Sequence, residues 1–205
     1  MTLVVLAVGL WLFGTGEALL VDAGLGVSPW TVLAQGVGVQ TSIGIGWATF
    51  LISVAVLALW VPLRERPGLG TVSNTVLVAL ALGVTVPVLP TPDSPVLQGV
   101  EAVAGIALIG LGSGLYLTTG LGPGPRDGWM TGIHQRTGLP VTPVRLVIEV
   151  SVLGLGWLLG GTVGVGTVAF ALLIGPSVGY GLAGIGRLGR ASSQVRTDDA
   201  PATEA

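Results

Sequence analysis

Seven residues of types that bind protons, ions or anionic groups lie in or beside long apolar stretches of the sequence. They are Glu17, Asp22, Ser28, Arg126, Asp127, Arg145 and Glu149. An ionisable side chain within an apolar membrane span is costly unless it is paired or hydrated, so such residues commonly mark solute paths and proton relays. These seven are therefore the candidate substrate-binding or ion-binding residues.

Arg145 and Glu149 are four positions apart in an apolar stretch. On a helix this spacing places both side chains on one face. Two interpretations stay open, because the pair can be a structural clasp or can face a cavity. In the second case Glu149 would carry a proton, or Arg145 would hold an anionic group. Glu17 is the other candidate proton carrier.

Arg126 and Asp127 follow Pro125 at the start of a short predicted helix. Asp suits the positive end of a helix. Arg126 beside unpaired backbone N–H groups would attract an anion or a lipid headgroup. The matching positions in the first half are Trp30 and Thr31, which carry no charge, so the two half-sites are chemically unequal.

The composition is that of an integral membrane protein. The 205 residues are 51% hydrophobic and only 9% charged, against about 25% charged in an average soluble domain, and the mean hydropathy is +0.88. The net charge of −2 gives no reason to expect nucleic-acid binding, and there is no cysteine. No metal-ligand cluster, catalytic set or nucleotide-binding loop is recognisable, so we expect no enzyme activity, no cofactor and no metal.

Six stretches reach the roughly 20 apolar residues that a spanning helix needs. They are Leu3 to Val21, Ile43 to Leu63, Thr71 to Leu89, Pro95 to Thr118, Val141 to Leu159 and Val163 to Ile185. Two shorter apolar segments, Gly24 to Gln40 and Gly120 to Gly138, begin helices at Ser28-Pro29 and at Pro125, with Ser28 as a plausible N-cap. These short helices are either re-entrant or flat at the interface. The predicted fold class is an all-α polytopic transmembrane bundle.

The basic residues predict the orientation. All eight are arginines, namely Arg64, Arg66, Arg126, Arg136, Arg145, Arg187, Arg190 and Arg196. With six spans they all fall at one end of the bundle, whereas the connections at residues 24–42, 90–94 and 160–162 hold none. Because cytoplasmic loops carry the arginine excess, we expect a bacterial plasma-membrane protein with both termini in the cytoplasm.

The sequence also resembles itself at an offset of 96 residues. Gly24-Leu25-Gly26 and Pro29 align with Gly120-Leu121-Gly122 and Pro125, and Gly70-Thr71 aligns with Gly166-Thr167. This predicts two halves, residues 1–92 and 93–186, each with three spans and a short helix, followed by a disordered cytoplasmic tail at 187–205. An odd number of spans per half would insert the second half upside down, as a 3+3 inverted repeat.

The strings GLGPGPRDGWMTGIHQRTG, from Gly120, and RLVIEVSVLGLGWLLGGTVGVGTVAFALLIGP, from Arg145, resemble the bacterial YczE/YitT-type integral membrane proteins. By this resemblance Arg126, Asp127, Arg145 and Glu149 fall on the charged positions of the family. The resemblance implies a multi-pass plasma-membrane protein, closer to the YczE members because no soluble C-terminal domain follows. It implies no substrate.

The leading functional hypothesis is a secondary transporter or exporter of a small anionic or amphipathic solute, in which Arg126 or Arg145 contacts the anion. The alternative is a non-transporting membrane scaffold that supports the assembly or signalling of another protein. The expected partners are the lipid bilayer and a small solute or lipid headgroup, with homo-oligomerisation left open.

Overall fold

The computed structural model describes residues 2–198, with side chains described as far as Gly186, and this part of the chain is all-helical. The helices are α1 (Thr2–Asp22), α2 (Pro29–Thr41), α3 (Ile45–Ala58), α4 (Trp60–Leu63), α5 (Leu69–Thr85), α6 (Pro95–Leu117), α7 (Pro125–Thr137), α8 (Val141–Leu158) and α9 (Val165–Asp198), with a 3₁₀ turn at Val86–Val88. Six stretches are long and apolar enough to cross a membrane: α1, α3 with α4, α5 with the 3₁₀ turn, α6, α8 and α9. The all-α fold and the six predicted spans are confirmed.

Helix α9 is continuous beyond the predicted end of the sixth span at Ile185. The side chains of residues 187–198, and all of residues 199–205, lie outside the described part of the chain. The disorder predicted for the tail at 187–205 therefore stays a prediction.

The centre of the bundle is the close, antiparallel crossing of α1 and α6. Gly9 lies against Gly112, and Gly16 lies against Gly105. Residue numbers therefore increase along α1 in the direction in which they decrease along α6, so the two helices are antiparallel. A Cβ atom at any of these four glycines would lie between 2.5 and 2.9 Å from the carbonyl oxygen of its partner. Small residues let transmembrane helices approach this closely, and the glycines therefore fix the crossing.

The antiparallel crossing determines where the two short helices begin. Since α2 follows the end of α1 and α7 follows the end of α6, the two short helices start from opposite ends of the bundle. The loop before α2 is held by the N–H of Gly166, which donates to the carbonyl of Leu25 at 2.7 Å. The loop before α7 is held in the same way by the N–H of Gly70, which donates to the carbonyl of Leu121 at 2.8 Å.

The offset of 96 residues recurs in the helix boundaries and in the backbone. Helices α2 and α7, α3 and α8, and α5 and α9 begin at 29 and 125, 45 and 141, and 69 and 165, a difference of 96 in each pair. The loops share left-handed glycines, with φ of 67° and 66° at Gly24 and Gly120 and of 102° and 119° at Gly26 and Gly122. Glycine adopts positive φ without the steric cost that a Cβ imposes, so this local backbone follows directly from the sequence.

Candidate functional site

Glu17 lies at the centre of a buried polar cluster. Its side chain is only 2% exposed. The Thr31 hydroxyl donates to its Oε2 atom at 2.8 Å, and the Ser28 hydroxyl lies 2.9 and 3.0 Å from the two carboxylate oxygens. Ser28 and Thr31 are also buried. Because a buried carboxylate is costly without hydrogen-bond donors, the two hydroxyls make this position tenable.

The start of α2 delivers both hydroxyls to Glu17. Ser28 occupies the predicted N-cap position, but its side chain caps no backbone N–H group and turns to Glu17 instead. Thr31, three residues later, lies one turn along the same helix face. The positive end of the α2 dipole therefore also faces the carboxylate, which favours its charged form.

The start of α7 meets the start of α2 at the Trp30 ring, which two residues of α7 contact. The guanidinium carbon of Arg126 lies 5.1 Å from the centroid of the Trp30 ring. A cation this close to the face of an indole is attracted by its quadrupole. Trp30 itself is buried and packs edge-on against Trp129, with 6.5 Å between the ring centroids. The loops that lead into the two short helices enter from opposite ends of the bundle, and the first turns of the helices meet.

A second polar group lies on the α7 side. The Tyr116 hydroxyl donates to Oδ2 of Asp127 at 3.3 Å, and Nε1 of Trp60 donates to the carbonyl of Pro125 at 3.0 Å. Beside them is a cavity of about 30 Å³, whose polar lining is Ser53, Asn74, Tyr116, Arg126 and Asp127. A cavity of this size holds a water molecule or an ion of similar volume.

Arg126 is the cation around which these groups are arranged. The carboxylates of Glu17, Asp127 and Glu149 all lie near enough to stabilise its positive charge electrostatically. They come from three different helices, α1, α7 and α8. Arg126 is therefore a positive centre with three carboxylates around it.

Of the seven candidate residues, the structure brings Glu17, Ser28, Arg126 and Asp127 to this centre. Arg145 and Glu149 form the predicted pair along α8, with Nε donating to Oε1 at 2.9 Å, and their side chains are 50% and 30% exposed. Asp22, the last residue of α1, lies beside Glu101 of α6 instead.

Several residues of the centre were not among the sequence candidates. They are Trp30, Thr31, Ser53, Asn74 and Tyr116. Three of them could have been found from the offset of 96, because Trp30 matches Arg126, Thr31 matches Asp127 and Ser53 matches Glu149. No comparable sequence signal marks Asn74 or Tyr116, since neither is matched by a polar residue in the other half.

Comparison with known families matches residues 1–181 to a family of unknown function, DUF6198. The chain belongs to this family. It is 49% identical to an uncharacterized protein of Haemophilus influenzae over 187 residues, which is 91% of this chain and 86% of the relative. It is 32% identical to the uncharacterized membrane protein YczE of Bacillus subtilis over 174 residues, which is 84% of this chain and 78% of that protein.

No solved structure matches the chain. The relation to YczE confirms the resemblance to YczE-type proteins, and with the six candidate spans it makes this a multi-pass membrane protein.

Proposed function

We propose that the protein is a secondary transporter that moves a small anionic solute together with a proton. In this proposal Arg126 contacts the anion and Glu17 carries the proton. The observation on which the proposal rests is the meeting of two helix starts, from opposite ends of the bundle, at Arg126 and the ring of Trp30. Helix N-termini and a partly buried arginine both attract negative charge.

We also infer that the two halves form an inverted repeat. Helix starts spaced by 96 residues support this inference. The α1–α6 crossing supports it as well. The equivalents of Gly9 and Gly16 at this offset are Gly105 and Gly112. Gly9 contacts Gly112, and Gly16 contacts Gly105, so each glycine packs against the equivalent of the other one. Such an exchange of contacts is what a two-fold axis in the membrane plane produces. Transporters built from inverted repeats bind their solutes where broken or half-length helices meet.

The charges around Arg126 supply the coupling. While Glu17 and Asp127 are both ionised, they compensate the guanidinium and repel a third negative group. Protonation of Glu17 removes one negative charge, and the solute anion can then replace it as the partner of Arg126. The proton and the anion consequently bind together, so a proton gradient can drive uptake of the anion.

The size of the cavity favours a small solute. Its volume of about 30 Å³ accommodates a monatomic or compact polyatomic anion but not the body of an amphiphile. An amphipathic solute would therefore have to keep its apolar part outside this cavity and present only its anionic group to Arg126.

Flux into proteoliposomes tests the proposal. Purified protein would be reconstituted with a pH gradient, acidic outside, and offered halide, nitrate, formate and phosphate in turn. We expect uptake of at least one anion with simultaneous acidification of the lumen. Arg126→Gln should abolish both signals, whereas Arg136→Gln should retain them, because Arg136 is exposed and only donates to the carbonyl of Leu63.

Uptake that is unchanged in Arg126→Gln would exclude this site. Absence of flux with every anion, together with stable co-purification of another membrane protein, would favour the scaffold function instead.

A further inference from the structure

The two halves of the chain differ at one pair of helices. In the first half α3 and α5 pack along each other. Gly46 lies against Gly83 at this seam, and a Cβ atom on Gly46 would be 2.8 Å from both the Gly83 Cα and the Ala79 carbonyl oxygen. Within the part of the chain that the structure describes, no comparable packing joins the equivalent helices α8 and α9.

The α9 face that would pack against α8 is nevertheless preserved. The offset of 96 takes Ala79 to Gly175 and Gly83 to Gly179. A Cβ atom at either glycine would meet no atom within 4 Å. The two helices differ in burial accordingly. In the most apolar stretch of α5, 39% of the residues are buried, whereas in the most apolar stretch of α9 only 6% are buried. This face of α9 therefore carries glycines that would let a helix pack closely, and no described residue covers it at those positions.

We propose that the seam between α8 and α9 is a gate that is open in this conformation, and that it closes as the α3–α5 seam opens. The inference rests on the proposed function. In the alternative conformation Thr142, the equivalent of Gly46, faces Gly179, and the site is reached from the opposite end of the bundle. Because Thr142 carries the Cβ that Gly46 lacks, the closed α8–α9 seam must be wider than the α3–α5 seam. Two inverted halves that exchange conformations give alternating access around a fixed site.

The open seam leads towards the candidate site. Glu149 on α8 is partly exposed and is electrostatically coupled to Arg126. Its equivalent in the first half is Ser53, which is buried in the closed half and lines the cavity. Arg145 is one turn nearer the start of α8 and is half exposed, and the proposal places it at the outer edge of the seam. An anion that enters here meets the Arg145 guanidinium first and Arg126 second.

The first half supplies the reason to place α8, and not a second copy of the protein, on this face of α9. There the equivalent face of α5 is covered by α3 of the same chain. A second copy on α9 is the competing arrangement, and cross-linking distinguishes the two.

Matched cysteine pairs test the gate in this naturally cysteine-free chain. One variant carries Trp47→Cys with Val84→Cys across the α3–α5 seam, where both residues line an apolar cavity of about 610 Å³ beside the Gly46–Gly83 contact. The other carries Pro143→Cys with Tyr180→Cys at the equivalent positions of the open seam. All four native side chains are exposed, so folding should tolerate the changes. We expect short bifunctional thiol reagents to link the first pair readily without solute, and the second pair only under a proton gradient with the transported anion.

Each link should stop anion flux in proteoliposomes, and a reducible reagent should allow its recovery. Flux that continues through protein linked between positions 143 and 180 would overturn the gate. So would both links forming in one molecule of a third variant that carries all four cysteines, or links from 143 or 180 to a second copy. Flux measured before linking tests the proposed transport separately, because a protein that carries the anion before linking and still carries it after linking contradicts the gate alone.

A single substitution provides an independent test. Gly179→Leu fills open space in this conformation, so its thermal stability should match that of the native protein, but it should prevent α8 from closing. We expect flux to fall about tenfold or more. The control is Gly184→Leu, also in open space but five residues further along α9 and therefore on a different face of the helix, which should transport normally. Normal flux in Gly179→Leu would contradict the gate.

Discussion

The first turns of α2 and α7 share a backbone but differ in chemistry. Ser28, Trp30 and Thr31 open α2 with neutral groups around a carboxylate that α1 supplies, whereas α7 opens with its own charged pair, Arg126 and Asp127. The position in α6 that is equivalent to Glu17 is Ser113, which is buried and neutral.

The difference shows how the two halves of the proposed repeat divide one candidate site between them. The first half provides the buried carboxylate with its hydroxyl donors, and the second provides the cation. Neither half could bury its charge alone at acceptable cost, because an isolated ion in a low-dielectric interior is strongly destabilised. The complementary charges therefore tie the halves together.

Removal of Trp30 is the substitution with the largest expected effect. Trp30→Ala deletes a buried ring from the contact between the half-sites and leaves Arg126 without its aromatic surface. We expect the free energy of unfolding, measured by denaturant titration in detergent micelles, to fall by about 3–5 kcal/mol. Trp30→Phe should restore most of it. A cost under about 1 kcal/mol for the alanine variant would mean that the two helix starts are not held together by this contact.

Neutralisation of Glu17 should have the next largest effect, and it separates two carboxylates that the sequence left as alternatives. Glu17→Gln removes the charge that accepts hydrogen bonds from Ser28 and Thr31. Hydrogen bonds to a charged group contribute about 1.5–3 kcal/mol. We expect proton-driven flux to fall roughly ten- to hundredfold, which is the same range of free energy. The control is Glu149→Gln, because Glu149 is partly exposed and paired along its own helix. A larger loss in Glu149→Gln than in Glu17→Gln would assign the proton to Glu149.

Two hydroxyls sharpen the comparison of the half-sites. Thr31→Val removes a 2.8 Å hydrogen bond to Glu17, and Tyr116→Phe removes a 3.3 Å contact with Asp127. We expect losses of unfolding free energy of about 1.5–3 kcal/mol for the first and about 0.5–1.5 kcal/mol for the second. Equal costs would indicate that the two carboxylates depend on their donors to the same extent, contrary to the difference in burial.

The smallest effect is expected at the pair on α8. Arg145→Gln breaks a single hydrogen bond between exposed residues one turn apart. Hydrogen bonds between side chains of membrane helices contribute about 0.6 kcal/mol, so the thermal transition should hardly move. Anion affinity is a separate readout, and a rise in the half-saturating anion concentration without a change in stability would support a role for Arg145 at the edge of the open seam.

The fold was largely predictable because lipid imposes simple rules. Only helices satisfy their own backbone groups in a bilayer, and their minimum length is fixed by its thickness, so the six spans follow from hydropathy. The starts of both short helices follow from proline at their first position. The cap bond expected from Ser28 did not form, because its hydroxyl has a charged acceptor in Glu17, and a local rule could not foresee a residue of another helix.

The candidate site was predictable only in part. Burying charge is costly wherever it occurs, so Glu17 and Arg126 could be recognised from their apolar surroundings. The partner of each charge could not, since Asp22 was an equally good candidate from its position and lies instead beside Glu101.

The sequence by itself determined that this is a six-span membrane protein with a spacing of 96 residues, because hydrophobic length and glycine-rich turns are local properties. Only the tertiary structure decided that Trp30 meets Arg126, that Glu17 receives two hydroxyls, and that α3 packs on α5 while α8 stands away from α9. These outcomes depend on how closely helices distant in the chain approach one another. That approach is set at glycine contacts whose partners no local pattern identifies.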